Sequence, residues 1–224
     1  MAGVAIVVKY FALAFSALLP VINPLGSALV FLGLVDDAPA AVIRTLARKI
    51  AISTVLFLLV IELVGTALLA FFGISLPVVQ VAGGLVLAAM GWSLLNQEGP
   101  HARQDQTESA ASSVGPLEQK IFYPFTFPIT AGPGTVVVML TLSAHASMTA
   151  LLPDGLAHIG ILIANVVLSF LVFLSYAYAP KITSWMSPQT AHGILRIVAF
   201  VLLCIGVQIT WNGVQAMLKT VVRS

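Results

Sequence analysis

The chain has 224 residues, 59% hydrophobic and 8% charged, with ten basic and eight acidic side chains and a net charge of +2. A soluble domain carries about 25% charged residues, so this composition, with a mean hydropathy of +1.06, excludes an ordinary water-soluble domain and indicates a polytopic α-helical membrane protein. The charge is too balanced for a nucleic-acid surface, and the one cysteine, Cys204, has no internal disulfide partner and is expected in helix packing.

Six apolar segments are predicted. The first runs from about Val4 to Leu34. It is too long for one straight span at about 1.5 Å per residue, and Pro20-Val-Ile-Asn-Pro-Leu-Gly26 interrupts it. Its start, Met-Ala-Gly-Val, has no basic cluster and does not read as a signal peptide. The second segment spans about Ile50 to Phe72 and is entered through Arg44, Arg48 and Lys49. A tight turn, Gly73-Ile-Ser-Leu-Pro77, leads to the third, about Val78 to Leu95. Residues 96–119 are polar and read as a solvated linker on the cytoplasmic side. The fourth segment has no Asp, Glu, Lys or Arg from Ile121 to Pro153, yet holds Pro124, Pro128, Gly132, Pro133 and Gly134 in its middle. The fifth covers about Leu156 to Ala179 and the sixth about Ile194 to Leu218.

Three segments, a linker and three more segments is the layout of an internal repeat, 1–95 and 120–224 around 96–119. Each half opens with a broken segment: Asn23-Pro24 before Leu25-Gly26, and Gly132-Pro133 before Gly134-Thr135. Asn and Gly are good helix N-caps and Pro fits the first helical position. Each break therefore reads as a loop feeding a new helix N-terminus, the second helix stopping near Thr130 and restarting near Pro133. The third segments also match, Ala89-Met-Gly-Trp92 against Cys204-Ile-Gly-Val207. An odd number of spans per half inverts one half against the other. Seven basic residues (Arg44, Arg48, Lys49, Arg103, Lys120, Lys181, Arg196) fall on one side and three (Lys9, Lys219, Arg223) on the other. The basic-rich side is expected in the cytoplasm and both termini in the periplasm.

Paired discontinuous helices in inverted repeats are a transporter architecture. Two half-helix N-termini bring partial positive charge and unused N–H groups to the midplane. Unwound carbonyls and the side chains of Asn23, Thr126, Thr130 and Thr135 would add acceptors and hydroxyls, which together suit a small zwitterion. Gly26, Gly132 and Gly134 permit close backbone approach. The competing reading is plain kinked packing, since Pro and Gly are common in membrane helices.

Glu62 is the one acidic residue deep in a predicted span. It either carries a coupling proton, pairs with a basic residue, or sits nearer the interface; transport coupling in general is expected to protons or sodium, or absent. Asn165 and Gln208 read as interhelical hydrogen-bonding groups, and Gly83, Gly84, Gly91 and Gly206 as close-packing positions. Trp92, Trp185 and Trp211 fit interface anchors. The four histidines, His101, His145, His158 and His192, scatter near predicted loops with no metal spacing. Ser16, Ser53 and Ser169 have no evident base, and Gly-Pro-Gly lacks the Lys-Ser/Thr of a phosphate loop. Neither an enzyme nor a cofactor is expected.

The Pro20–Gly26 and Pro124–Thr135 motifs, Ala82-Gly-Gly84, and Arg196 followed by Gln208 resemble the MarC family of six-span bacterial inner-membrane proteins over essentially the whole chain. The sequence departs from that pattern at Gln80, where a basic residue is usual. Through an archaeal relative, the resemblance implies transport of small neutral amino acids such as glycine and alanine. It places Asn23, Pro24, Gly26, Ala131, Gly132, Pro133 and Gly134 at the substrate site, joined in the residue reading by Thr130 and Thr135. The expected architecture is an all-α membrane protein of six transmembrane helices in two inverted three-helix repeats, with the first and fourth helices broken. The expected partners are a small zwitterionic substrate and the lipid bilayer. An exporter of other small metabolites or drugs, and a scaffold or sensor acting through 96–119, are the rival readings.

Overall fold

The computed structural model describes residues 2–35, 38–96, 117–146, 151–185 and 188–222. Among them every element is helical: α1 (Ala2–Ile22), α2 (Pro24–Val35), α3 (Ala40–Phe71), α4 (Leu76–Asn96), a single turn Leu117–Lys120, α5 (Ile121–Thr130), α6 (Pro133–Ala146), α7 (Leu151–Ala177), α8 (Ala179–Trp185) and α9 (Pro188–Val222). Most of the predicted linker 96–119 lies outside the described residues. Five stretches are long and apolar enough to cross a membrane. The pair α5–α6, bent by 72°, makes a sixth if taken as one span.

Local chemistry sets the element ends. After α3 the chain turns at Gly73, whose φ of +67° suits a residue without Cβ. Gly73 N–H donates to Ala70 O at 3.1 Å and Ile74 N–H to Leu69 O at 2.9 Å, a paired C-terminal cap. Helix α3 begins ten residues earlier than predicted, directly after Pro39. Arg44, Arg48 and Lys49 are therefore helical rather than in a loop. Nothing in Ala40–Lys49 opposes a helix; its charges read as a loop in the sequence because apolarity sets span boundaries but not helix boundaries.

The packing follows glycine. On α4 and α9 the backbones nearly touch: a Cβ on Gly91 would meet Leu203 N and Ala199 O (2.8 Å), and one on Gly206 would meet Ala88 N and Gly84 O (2.7 Å). A Cβ on Gly213 would sit 2.7 Å from Pro77 O. Pairing of low numbers with high ones makes the two helices antiparallel. Without a hydrophobic force between helices in lipid, such small-residue seams supply dispersion contacts instead. Helices α3 and α7 are also antiparallel, tied by Asn165 Nδ2–H donating to Val55 O at 3.1 Å and by the Arg44 guanidinium 5.7 Å from the Tyr178 ring. Helix α7 packs on α1, α2 and α3; α6 packs on α1, α3 and α4; α9 also touches α1.

Two smaller expectations change. Cys204 is exposed rather than packed between helices. Gln208 Nε2–H donates along its own helix to Asn212 Oδ1 at 2.9 Å, not across to another.

Candidate functional site

The first break is one residue wide. Helix α1 runs through Pro20 to Ile22, and α2 starts at Pro24. Between them Asn23 takes φ +45°, a left-handed conformation that Asn tolerates better than other side-chain-bearing residues. The hydrogen-bond ladder continues across it: Asn23 N–H donates to Leu19 O and Ser27 N–H to Asn23 O, both at 2.9 Å. Asn23 Oδ1 accepts from Gly26 N–H at 3.1 Å, so the side chain caps the helix it precedes. A Cβ at Gly26 would collide with that amide, which explains glycine there. The unwound loop expected over Pro20–Gly26 is thus a capped joint: Asn supplies in its own side chain the acceptor that a longer loop would have to bring.

The second break is wide. Tyr123 (φ −118°, ψ 122°) and Phe127 (φ −122°, ψ 127°) are extended because each precedes a proline, whose ring excludes the helical conformation from its predecessor. Pro124 and Pro128 offer no N–H to the ladder. The carbonyls they leave are taken by threonines and by wider turns. Thr126 Oγ1 donates to Ile121 O at 2.8 Å, Thr130 Oγ1 to Phe125 O at 2.7 Å, and Ala131 N–H to Thr126 O at 2.8 Å. With its proton on Phe125 O, the Thr130 oxygen accepts from the Tyr176 hydroxyl at 2.8 Å. Tyr176 stacks on Phe31 (4.6 Å between centroids), and Phe31 meets Phe125 edge-on at 5.3 Å. All three rings are buried, and they join α2, α5 and α7. Such aromatic pairs are worth about 0.5–1.5 kcal/mol each beyond their area.

Helix α6 then starts afresh. Pro133 is its first residue, and Val136 N–H closes the first turn on Gly132 O at 3.2 Å. Gly132 has no side chain, so Gly134 and Thr135 N–H have no counterpart to the Asn23 cap. The Thr135 hydroxyl is buried and, among the described residues, has no hydrogen-bond partner. An unsatisfied buried hydroxyl costs about 1–3 kcal/mol.

The two breaks face one cavity of about 40 Å³. Pro20, Val21 and Asn23 line it from the first, and Pro128, Ile129, Gly132, Gly134 and Thr135 from the second. Val30, Leu87, Met90 and Leu202 close it from α2, α4 and α9. A cavity this size holds a few waters or the heavy atoms of a very small solute. None of its lining side chains is ionisable. Recognition there must come from backbone dipoles, the Asn23 amide and the Thr135 hydroxyl.

Of the residues singled out in the sequence, Asn23, Gly132, Gly134 and Thr135 reach this cavity. Pro24, Gly26, Thr130, Ala131 and Pro133 are not among its lining but build its walls: Pro24 and Pro133 open α2 and α6, Gly26 receives the cap, and Thr130 and Ala131 close the α5 turns. Thr126 is spent on Ile121. Leu87, Met90 and Leu202 were missed; no local signal marks an apolar helix residue as cavity-facing. Glu62 is elsewhere. Its Oε1 lies 3.1 Å from His158 Nδ1, and its backbone carbonyl accepts from Ser143 Oγ at 2.6 Å. His158, two residues inside the predicted fifth segment, belongs to α7 and faces the one acidic group of α3.

The model for MarC family integral membrane proteins matches residues 8–218. An inner membrane protein named MarC from Salmonella typhimurium is 27% identical over 95% of this chain and 97% of its own length. The protein of the same name from Escherichia coli is 25% identical over the same shares. No solved structure matches.

Proposed function

The chain belongs to the MarC family of integral membrane proteins, and from that premise we propose that it is an inner-membrane secondary transporter of small neutral amino acids, glycine- or alanine-sized. The observation that carries this reading is the shared cavity. Two helix breaks from opposite halves of the chain meet there, with an uncapped helix N-terminus and an orphaned Thr135 hydroxyl on one side and the Asn23 amide on the other. The α6 N-terminus suits a carboxylate through its N–H groups and dipole. Asn23 Oδ1 and nearby carbonyls suit an ammonium group. The small volume and the absence of ionisable lining favour a small zwitterion of no net charge.

The same proposal includes two inverted three-helix repeats and alternating access around the breaks. Exchanging first with fourth and second with fifth segments turns the packing of α1 and α2 on α7 into that of α5 and α6 on α3, and both are observed. The segments that would face their own counterparts, α3–α7 and α4–α9, are antiparallel, as a dyad in the membrane plane requires. The shift that places Gly91 on Gly206 also carries Leu203 to Ala88 and Ala199 to Gly84, which are the observed contacts of those two glycines. The contact of Arg44 with Tyr178 puts the start of α3 and the end of α7 at one end of the molecule, with Arg48, Lys49 and Lys181. That end is the cytoplasmic one in this proposal, leaving both termini periplasmic. The relatives' name, inner membrane protein, supports the location.

The test is uptake of labelled glycine and alanine into proteoliposomes, with counterflow. Saturable flux, competed by small neutral amino acids and lost in Asn23→Ala, is the expected result. Flux that is unchanged in Asn23→Ala would reduce Asn23 to a structural joint, and flux that is unchanged when Gly134→Leu fills the cavity would remove the cavity from the mechanism.

A further inference from the structure

The cavity carries no ionisable group, yet one is buried elsewhere between α3 and α7. Glu62 and His158 lie on helices that each satisfy the criteria for a span. Glu62 Oε1 is 3.1 Å from His158 Nδ1, and Glu62 Oε2 is buried with no partner among the described residues. An intramembrane carboxylate with half its acceptor capacity unused is an expensive arrangement for packing alone. The two side chains are unequally buried, 27% exposed for His158 and 1% for Glu62. His158 is also only about 5 Å inside the apolar stretch that begins at Gly155. The imidazole therefore stands between the carboxylate and the α6–α7 end of the molecule.

We propose that Glu62 and His158 form a proton-binding site, separate from the substrate cavity and coupled to it through α6. This rests on the transport reading only for its coupling half. Water at the α6–α7 end gives a proton to His158 Nε2, the Nδ1 proton passes to the Glu62 carboxylate, and an O–H bond forms there. The pair gains one positive charge, and release reverses these bonds. The link to the cavity is one hydrogen bond and a short length of α6. Ser143 Oγ donates to the Glu62 carbonyl at 2.6 Å, and Thr135 is on the same helix about 12 Å back. A change in the Glu62 side chain that moves α3 against α6 moves the orphaned hydroxyl and Gly134.

A proton fits this site better than sodium. Sodium needs several oxygen ligands, which transporters draw from unwound backbone. Here α3 and α7 are continuous and their carbonyls are held in the helix. The elements packed on α3 or α7 are α1, α2, α5, α6 and α8. Besides the pair, the titratable groups on these helices and α7 are Lys9 and Tyr10 on α1, Tyr123 on α5, His145 on α6, Asp154 and Tyr176 on α7, and Lys181 on α8. Tyr176 is committed to Thr130, and the Asp154 side chain lies outside those described. On α3 itself Arg44, Arg48 and Lys49 are about 20 Å or more back along the helix.

Full-length wild type and Glu62→Gln are reconstituted in phosphatidylethanolamine–phosphatidylglycerol vesicles and assayed with labelled glycine and alanine. With one proton per substrate, an imposed gradient of one pH unit supports about tenfold accumulation in the wild type. Glu62→Gln is expected to accumulate none while exchange flux stays within about twofold. Accumulation by the variant equal to wild type, or wild-type accumulation that follows sodium and not pH, overturns the proposal. If neither protein moves label, the transport reading fails and infrared titration decides the proton site alone. A carboxylic acid C=O band that grows on acidification in wild type and is missing in Glu62→Gln supports it; identical titrations sink it. Should Glu62→Gln not fold, the band in His158→Gln makes the same decision, shifting if Glu62 loses its Nδ1 partner and staying put if another carboxyl is responsible.

Discussion

The two helix breaks do opposite things with similar residues. At Asn23 the chain repairs its own interruption, with the ladder intact on both sides and the side chain capping Gly26. At Gly132 the chain bends by 72° and leaves the start of α6 without a side-chain cap. A Pro follows the pivot in each case, so Pro does not decide the outcome. The side chain before it does: an amide satisfies the orphan donors internally, whereas glycine leaves them to whatever enters the cavity. In this reading the first break is the rigid wall of the site and the second is its ligand-seeking face.

Substitutions can break or sharpen that contrast. The largest effect is expected at Gly134, where a Cβ would already collide with the Leu87 side chain. Gly134→Leu would fill the cavity and, from overpacking, lower stability by about 1–3 kcal/mol. Glycine uptake should fall to the protein-free level in vesicles that still contain inserted protein; wild-type uptake would mean the cavity is not the site.

Asn23 comes next because two roles meet in it. Asn23→Ala removes the cap and strains the left-handed backbone, costing about 0.5–2 kcal/mol, while Asn23→Gly should cost only a few tenths. If Asn23 also contacts substrate, both variants lose uptake despite their different melting temperatures. If it is only a joint, Asn23→Gly transports normally.

Thr135 should change sign between the two readouts. Thr135→Val removes a buried hydroxyl that has no partner among the described residues, so the free protein should gain about 1 kcal/mol. Substrate affinity, measured by competition in the uptake assay, should weaken about fivefold through the lost hydrogen bond. A Val variant that is destabilised would show that the hydroxyl has a partner in the resting protein.

Tyr176→Phe should give the smallest effect. It removes the bond to Thr130 Oγ1, about 1 kcal/mol by thermal unfolding, while the ring stays on Phe31. Uptake should persist within about twofold; a complete loss would make the α5 end part of the ligand-seeking face rather than its support.

Much of this was legible in the sequence, for local reasons. Apolar run lengths set the spans, because backbone in lipid must satisfy itself within helices. Pro124, Pro128 and the Gly-Pro-Gly run marked the second break, because missing N–H groups and the conformation forced before proline are properties of the residue alone. Asn23-Pro24 marked the place of the first break but overstated its extent, since one side-chain hydrogen bond closed what reads as seven disrupted residues. Only the tertiary structure decided that both breaks open on one cavity, that Leu87, Met90 and Leu202 close it, and that Glu62 faces His158. Those are meetings of helices distant in the chain, set by which glycines let backbones approach, and an apolar helix carries no periodicity that says which of its faces meets protein and which meets lipid.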